Sequence, residues 1–378
     1  MQNKFRVLVF VNELFGACNT PRGGYGFIVR KLLKKSLPDD EFKITVCLGT
    51  SRSFFKKTVQ YSEEGIEVIR LPKWRYLAAK IVNSYDALLT IEATVDYLFS
   101  LKNRINKKVI FWIQDPRTRQ DWEEIDSVVL AKEKSYWSDR TYSWVNECHL
   151  LGKVQFVTQA RCLIEKAKEL YHLPSDLVVD FLPNPIFMPR DSECLMKEGT
   201  KRNEVVFLGR LDSVKRGWLY CEIAKRLPEY NFYVLGGATN EDEKRKNSIL
   251  HKYDCLSNLK FLGHLDGEEK DAYLRRAKIL VNTSIHEALP VSFLEAFSYG
   301  VTVVSNQNPD NLVSRYGVWV GKSLGDGWED VDSFVRAIKD TMSNEGLRLK
   351  KAEEAHQYVK TIHDPKKFKK QLVELLSD

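Results

Sequence analysis

Three kinds of sequence feature are missing from this chain of 378 residues, and each absence argues against a class of protein. The seven cysteines are scattered and never stand in C-x-x-C spacing, which fits reduced thiols and argues against a zinc site or a disulfide framework. No apolar run approaches the length that spans a bilayer. The first apolar run is short and no small-residue cleavage site follows it, so we predict no signal peptide. Together these absences predict a cytoplasmic protein.

Charge is present in excess on one side of the chain. The net charge is +7, and residues 1–190 hold 29 Lys and Arg against 22 Asp and Glu, whereas residues 191–378 hold 29 of each. Basic clusters lie at 30–35, 54–57 and 73–80. Two interpretations stay open, namely ordinary solvated faces or a surface for an anionic acceptor or anionic lipid, with peripheral contact at the inner face of a membrane. We find no nucleic-acid recognition module and expect no nucleic-acid partner.

Short β-branched apolar runs alternate with helical stretches in both halves of the chain. This alternation predicts an α/β fold with parallel sheets and helices on both faces. The pattern breaks near residues 181–201, where three prolines interrupt it, and then restarts. We therefore predict an N-terminal Rossmann-like domain (1–185), a linker (186–202), a second Rossmann-like domain (203–360) and a C-terminal helix (361–378) packing back on the first domain. Two doubly wound domains facing a central cleft would bind ligands beyond the carboxyl ends of their strands.

A glycine-rich stretch, "NTPRGGYGFIV", follows the first predicted strand and opens a helix. Gly23, Gly24 and Gly26 would let backbone N–H groups approach an oxyanion closely. The spacing is not G-x-G-x-x-G, so a dinucleotide site is not indicated. A plain surface loop is the alternative interpretation.

The stretch "FLGRLDSVKRG" places Arg210 and Lys215 after a strand and before the next helix. Two cations at the carboxyl end of a strand suit a diphosphate, because Arg offers a planar fork and Lys a mobile point charge. Surface charge is the alternative.

The stretch "SIHEALPVSFLEAFSYG" joins a predicted strand to a helix that we expect to begin at Pro290. Free N–H groups at residues 291–293 would then form an anion site without a metal. Glu287 in the approach loop and Glu295 further along the helix could each accept hydrogen bonds from a different part of one polyhydroxylated ligand. Acidic residues near a helix start also favour its dipole, which is the simpler explanation.

These motifs resemble those of the family 4 glycosyltransferases, which have the GT-B fold. The two glutamates in "EALPVSFLEAFSYG" are similar to that family's two-glutamate signature, and "FLGRLDSVKRG" is similar to its G-R-L-x-x-x-K-G element. "NLKFLGHLDGEEKDAYLRRAKILVNTS" resembles the base-binding segment, "FLPNPIF" the linker and "PRGGYGFIV" the amino-terminal loop. The resemblance is strongest from about residue 203 to 305 and implies a retaining, metal-independent glycosyltransferase that acts in surface polysaccharide synthesis.

The resemblance also implies a role for each matching residue in binding the donor diphosphate. Arg210 and Lys215 would bind the diphosphate and stabilise it as a leaving group. Gly23 and Gly24 would close over it from the first domain. The donor would be a UDP- or GDP-linked sugar, with no further cofactor and no metal, and the acceptor a glycan or a lipid-linked glycan.

The rest of the donor is assigned in the same way. Glu287 would hold hydroxyls of the donor sugar and Glu295 the ribose. The backbone of four residues would contact the sugar and phosphate: Leu289, Pro290, Val291 and Ser292. Three residues would line the base: Gly263, His264 and Leu265.

The chain departs from the family pattern at several positions. Ala288 replaces the usual glycine, and Pro185 follows Asn184 where glycine is common. Where many relatives carry a histidine near the acceptor, Gln114 and Asp115 stand at the end of a predicted strand. Asp115 could orient an acceptor hydroxyl as a catalytic residue, or it could be a turn residue before a proline. His286 could contact the ligand or serve as filler.

The alternatives are a metal-dependent sugar transferase, a sugar-nucleotide epimerase or hydrolase, and a non-enzymatic binding protein. A metal-dependent sugar transferase would need Asp-x-Asp after an apolar strand, and the one such triplet, Asp330 to Asp332, is typical of a helix N-cap. A sugar-nucleotide epimerase or hydrolase on the same two-domain fold is the main alternative, although we identify no acid/base pair for it. A non-enzymatic binding protein would not require the full charged set.

Overall fold

The first structural unit is an eight-stranded α/β sheet. The computed structural model describes residues 4–191, 197, 199–237 and 248–377. The strands of this unit are β1 (Phe5–Phe10), β2 (Phe42–Thr50), β3 (Thr58–Tyr61), β4 (Glu67–Leu71), β5 (Ala87–Ile91), β6 (Val109–Ile113), β7 (Val154–Thr158) and β8 (Asp180–Phe181). They lie in the order β3-β4-β2-β1-β5-β6-β7-β8, and β3 alone of these pairs antiparallel with its neighbour.

The helices of the first unit fill the connections between its strands. They are α1 (Gly24–Phe27), which continues through a π-helical turn into α2 (Lys34–Ser36), then α3 (Arg75–Val82), α5 (Asp139–Leu150) and α6 (Ile164–Leu170). The strand order extends in both directions from β1, so right-handed crossovers place helices on both faces of the sheet. The point where the order reverses lies between β1 and β5.

The second unit is a six-stranded parallel sheet. Its strands are β9 (Arg202–Leu208), β10 (Asn231–Leu235), β11 (Leu259–Phe261), β12 (Ala277–Asn282), β13 (Thr302–Ser305) and β14 (Val318–Trp319), in the order β11-β10-β9-β12-β13-β14. Its helices include α4 (Arg119–Asp126), α7 (Gly217–Arg226), α8 (Gly267–Arg276), α9 (Val291–Ser298), α10 (Leu312–Tyr316), α11 (Val331–Ser343) and α12 (Glu345–Ile362). The predicted fold class, two doubly wound Rossmann-like domains, is confirmed.

The division of the chain into units differs from the predicted boundaries at the segment 119–135 and at the predicted linker (186–202), which falls within the second unit. The first unit comprises residues 1–118, 136–185 and 363–378, and the second comprises 119–135 and 186–362. Residues 119–135, which the sequence analysis assigned to the N-terminal domain, therefore belong to the second unit. The physical reason is a set of hydrogen bonds to the loop at 322–326, in which the Asp326 carboxylate accepts the N–H groups of Val129 and Leu130 at 2.9 and 3.0 Å.

The C-terminal helix α13 (Pro365–Ser377) packs on the first unit. The Phe368 ring stacks on Trp112 of β6 with 5.3 Å between ring centroids, and both side chains are buried. His363 Nδ1 lies 2.7 Å from the backbone oxygen of Asn184.

Candidate active site

The order of strands in the second unit reverses between β9 and β12, which pair side by side. Ligands of open α/β sheets bind beyond the carboxyl ends of strands at such a switch point. The loop after β9 carries Arg210 and Lys215, and the loop after β12 carries Glu287 and leads into α9. The topology therefore brings the predicted diphosphate-binding and sugar-binding residues to one edge of one sheet.

Lys215 and Glu287 form an ion pair at this edge. Lys215 Nζ lies 2.5 Å from Glu287 Oε1, and the Glu287 side chain is 9% exposed. The same oxygen accepts hydrogen bonds from Asn282 Nδ2 at 2.9 Å and Ser284 Oγ at 2.7 Å. Glu287 Oε2 makes no hydrogen bond or ion pair within the described part of the chain. The glutamate is thus held by one oxygen and offers the other as an acceptor.

Arg210 is more exposed than Lys215, whose side chain is 23% exposed. Its guanidinium pairs with Asp212 at 3.1 Å, and its side chain is 43% exposed. Asp212 in turn caps the short 3₁₀ turn Ser213–Lys215, because its carboxylate accepts the Lys215 N–H at 3.2 Å. This arrangement fixes the backbone that carries Lys215.

Arg216 joins the two loops, and the sequence analysis did not single it out. Its side chain is fully buried, and its Nε donates to the Thr283 carbonyl at 2.7 Å. Its Nη1 donates to Ser323 Oγ and to the Gly325 carbonyl, each at 3.0 Å. Burial lowers the pKa of Arg216 to about 10. A buried arginine that donates to several backbone oxygens is a positioning residue, and no local sequence pattern indicates its burial.

Helix α9 begins one residue later than predicted. Pro290 occupies the N-cap position with φ −66° and ψ 134°, and Val291 is the first helical residue. The Phe293 N–H donates to the Pro290 carbonyl at 3.0 Å, so the expected free N–H at Phe293 is already bonded. The N–H groups of Val291 and Ser292 have no acceptor within the helix by their position. Proline has no capping side chain, so the helix start is open to an external acceptor.

Glu295 pairs with Lys270 of α8. Burial opposes the charge of Lys270, but Glu295 outweighs it and raises the lysine pKa above its ordinary value. Lys270 was not predicted, since its spacing from Glu295 carries no sequence signal. The pair fixes the orientation of Glu295 in the second turn of α9.

The residues predicted to line the base lie at the end of β11. Gly263 has φ +69°, and its carbonyl accepts the Gly236 N–H at 2.8 Å. His264 is exposed and Leu265 is half-buried. Leu289, predicted to contact the sugar and phosphate through its backbone, has a buried side chain.

His286 lies beside Asp121 of helix α4. Its Nδ1 is 3.4 Å from Asp121 Oδ1, and both side chains are buried. The adjacent loop is held in the same way, because Ser213 Oγ donates to Glu133. Both contacts come from the segment 119–135, which therefore supports the two site loops.

In the first unit, the glycine-rich stretch packs against Glu13. A Cβ atom on Gly23 would lie 2.1 Å from the Glu13 carboxylate, and one on Gly26 would lie 2.2 Å from the Phe15 nitrogen. The Gly26 N–H donates to Glu13 at 3.1 Å. A Cβ atom on Gly24 would meet open space. Gly26 is therefore required by close backbone packing, Gly23 lies against the Glu13 side chain, and Gly24 faces outward.

A buried carboxylate organises the carboxyl ends of β5 and β6. Glu92 has φ +52°, and its Oε2 accepts the N–H groups of Gln114 and Asp115 at 2.6 and 3.0 Å. The Tyr171 hydroxyl donates to its Oε1. Burial raises the pKa of Glu92 to about 7 against the opposing effect of these hydrogen bonds. Glu92 was also missed by the sequence analysis, although it stands at a strand end.

Gln114 and Asp115 stand where the resemblance would place a histidine. The Gln114 side chain is buried, and its Nε2 donates to Asn184 Oδ1 at 3.3 Å. Asp115 pairs with Arg117 at 2.9 Å. Burial alone would lower the pKa of Arg117, but Asp115 outweighs it and holds that pKa above its usual value. Asp115 is a charged group fixed at a strand end by its own backbone and by an arginine.

The Asp330–Asp332 triplet lies at the start of helix α11, as predicted. Asp330 occupies the N-cap position, but its side chain makes no capping hydrogen bond. The predicted N-cap position is therefore confirmed, and the backbone angles of Asp330, φ −90° and ψ −8°, are helical rather than extended.

The chain has two Rossmann-like units, an architecture that it shares with solved glycosyltransferases of the GT-B fold. Residues 196–361 match the family model "Glycosyl transferases group 1". This domain and the fold together support a glycosyltransferase enzyme.

One curated relative and two solved structures are similar to this chain. Over 193 residues the chain is 28% identical to one component of the phosphatidylinositol N-acetylglucosaminyltransferase of Homo sapiens, and the match covers 49% of this chain and 36% of that protein. Sucrose-phosphate synthase from Thermosynechococcus elongatus matches with a TM-score of 0.73 at 14% identity, covering 99% of this chain and 98% of that chain. HepE from Anabaena, solved in complex with UDP, matches with a TM-score of 0.69 at 12% identity, covering 99% and 100%. At these identities the structural likeness concerns the fold.

Proposed function

We propose that the protein is a retaining, metal-independent glycosyltransferase that moves a sugar from a nucleotide-diphosphate donor to a glycan, glycolipid or similar acceptor in surface polysaccharide synthesis. The carrying observation is the Lys215–Glu287 pair, at 2.5 Å, on loops that follow two neighbouring strands at a switch point. An ammonium and a carboxylate side by side suit the two halves of a sugar diphosphate, since the cation attracts phosphate and the carboxylate accepts sugar hydroxyls.

The diphosphate would lie at the start of α9. The N–H groups of Val291 and Ser292 and the dipole of the helix favour an anion there. Lys215 would exchange part of its contact with Glu287 for a phosphate oxygen, and Arg210 would add a second cation. As the bond between the anomeric carbon and the diphosphate oxygen breaks, negative charge grows on the phosphate, and these groups stabilise it without a metal.

The sugar and nucleoside would be held by carboxylates with fixed orientations. Glu287 Oε2 would accept sugar hydroxyls, while Asn282, Ser284 and Lys215 hold the other oxygen. Glu295, fixed by Lys270, would accept from the ribose. The acceptor oxygen would attack the anomeric carbon from the face that the diphosphate leaves, and its proton would pass to the departing diphosphate oxygen. Asp115 would orient that acceptor hydroxyl. Gly24 would approach the diphosphate through its backbone.

The donor is proposed to be UDP- or GDP-linked. A uridine nucleotide is the first to test, because HepE was solved in complex with UDP-glucose. The human relative is named for transfer of N-acetylglucosamine to phosphatidylinositol, which supports a lipid-linked acceptor.

We place the enzyme in the cytoplasm with peripheral contact at an anionic membrane. No helix in the described part of the chain has the length and hydropathy needed to cross a bilayer.

A thermal-shift screen of UDP-sugars, GDP-sugars and the corresponding free sugars tests the proposal. A donor that binds the native state stabilises it by about 2.7 kcal/mol at one hundred times its Kd. We expect a shift with a nucleotide sugar, and turnover that survives a strong chelator. Loss of turnover that added Mn²⁺ restores would overturn the metal-free mechanism. Release of free sugar at the same rate with and without acceptors would favour a hydrolase.

Glu287→Ala provides the matching test on the chain itself. The variant should abolish transfer while keeping the fold, and its melting temperature should fall because Lys215, Asn282 and Ser284 lose their shared acceptor. Full activity of this variant with the true acceptor would exclude the proposed sugar contact.

A further inference from the structure

Two neighbouring segments of the first unit expose aromatic rings that touch one another. The aromatic patch consists of Phe54, Phe55, Trp74 and Tyr76, whose exposed fractions are 53%, 62%, 41% and 62%. Ring centroids lie 5.0 Å apart for Phe54 and Phe55, 5.6 Å for Phe55 and Trp74, and 5.7 Å for Trp74 and Tyr76. The rings thus form one continuous apolar surface, which a monomeric soluble protein rarely presents without a partner.

The backbone beneath the patch is fixed. The Lys73 and Trp74 N–H groups donate to the Ser53 and Phe54 carbonyls at 3.2 and 2.9 Å and so join the two segments. Ser51 Oγ donates to the Lys56 carbonyl at 2.7 Å. A loose loop could fold its rings inward, whereas this framework holds them toward solvent.

Cations surround the rings. Residues 52–57 and 73–80 contain no Asp or Glu and six basic residues, all exposed: Arg52, Lys56, Lys57, Lys73, Arg75 and Lys80. Within the described part of the chain none of the six forms an ion pair, whereas Arg30 of the same unit pairs with Glu64 at 2.5 Å. The patch therefore carries a local positive charge that no neighbouring carboxylate neutralises.

We propose that this surface docks the protein on a bilayer containing anionic lipids. Trp and Tyr favour the membrane–water interface, because each has an apolar body and a polar tip, and lysine stems extend from apolar surface to charged headgroups. Each Lys or Arg near an anionic surface adds about 1 kcal/mol of attraction. The exposed edge strand β3 adjoins the patch and adds Val59 and Tyr61, exposed by 42% and 66%. This combination of rings and charge complements lipid headgroups. The proposal rests on the membrane contact in the proposed function and assigns its surface, and vesicle binding tests it separately from sugar transfer.

Co-sedimentation of the full chain with vesicles tests the proposal. Vesicles of phosphatidylcholine alone are compared with vesicles that also contain phosphatidylserine, at low and high salt. We expect binding to the anionic vesicles that weakens with salt. Equal binding to both vesicle types would overturn the proposal. So would retention by an anionic polysaccharide without vesicle binding, which would assign the patch to a glycan.

Matched variants locate the surface. The double variant Lys56→Ser/Lys57→Ser should bind anionic vesicles about tenfold to thirtyfold more weakly, since two charges are removed. Phe55→Ser/Trp74→Ser should weaken binding while leaving the salt dependence in place. Lys366→Ser/Lys367→Ser changes an exposed lysine pair on helix α13 and should bind like the wild type. If the two patch variants bind anionic vesicles as the wild type does, the proposed surface is wrong. Circular dichroism and melting temperature verify that each variant is folded.

Discussion

At Glu287 one carboxylate oxygen accepts from three donors while the other is left for a ligand. The functional value of this arrangement depends on the cation beside it. Lys215 balances the glutamate charge through their ion pair. In the proposed function the lysine passes to phosphate when a donor binds, so the pair would couple recognition of the sugar to recognition of its leaving group.

Lys215→Ala tests this coupling. The variant should lower kcat/KM by about a hundredfold or more, the range found when a group that stabilises developing negative charge is removed. It should also weaken binding of the free nucleoside diphosphate in calorimetry. Lys322→Ala removes an exposed lysine that pairs with Glu124 in the same unit and serves as the control. Equal activity of the two variants would show that Lys215 does not contact the diphosphate.

The raised pKa of Glu92 predicts how the stability of the protein depends on pH. Its pKa is about 7 in the folded protein and 4.5 for the exposed group. Between these values the folded state keeps a proton that the unfolded chain releases, so this contribution to stability is full below 4.5 and is lost as pH rises through 7. A shift of this size corresponds to about 3 kcal/mol. Glu92→Gln cannot ionise and should gain in melting temperature relative to the wild type on going from about pH 5 to about pH 8. A constant difference across that range would mean that Glu92 titrates normally.

At the residue scale, the sequence predicted groups that combine charge with a recognisable motif. Arg210, Lys215 and Glu287 stand in such motifs, and the structure gathers them at the strand ends where they were expected. Arg216, Lys270 and Glu92 were missed because their importance comes from burial and from partners far away in the sequence. No local spacing distinguishes a buried arginine from a solvated one.

At the scale of elements, the sequence predicted helix α9 correctly but placed its first residue one position too early. Apolar periodicity and Pro290 located the helix, but the exact first residue depends on backbone angles that the sequence does not determine. Placing Pro290 at the N-cap leaves the helix start without a side-chain cap. This feature leaves the N–H groups of Val291 and Ser292 available to a phosphate.

Ser292→Asp tests the helix start. A carboxylate near the first turn favours the helix dipole, so the melting temperature should stay equal or rise slightly. The same charge repels a phosphate, and we expect affinity for UDP or GDP to fall about tenfold or more, a loss of about 1.4 kcal/mol. Ser292→Asn has a similar shape without the charge and should lose much less. If the two variants bind equally, the diphosphate does not lie at this helix.

At the scale of the whole molecule, the chain crosses between its two units more often than the sequence indicated. Alternating strands and helices predicted the two sheets, because each sheet requires its own run of apolar strands. The assignment of residues 119–135 to the second unit could not be predicted in this way. That segment is held by Asp326, Ser213 and His286, which lie far from it in the sequence.

The C-terminal helix provides the last prediction. The chain leaves the second unit after Ile362 and closes on the first, where Phe368 is buried against Trp112. Phe368→Ala should destabilise the first unit by about 3–5 kcal/mol, because it removes a large buried ring and leaves a cavity. Nucleotide binding assigned to the second unit should persist at temperatures below the transition. Leu347→Ala, at a site 51% exposed on α12, is the control and should change stability little. If Phe368→Ala melts like this control, the helix does not stabilise the first unit.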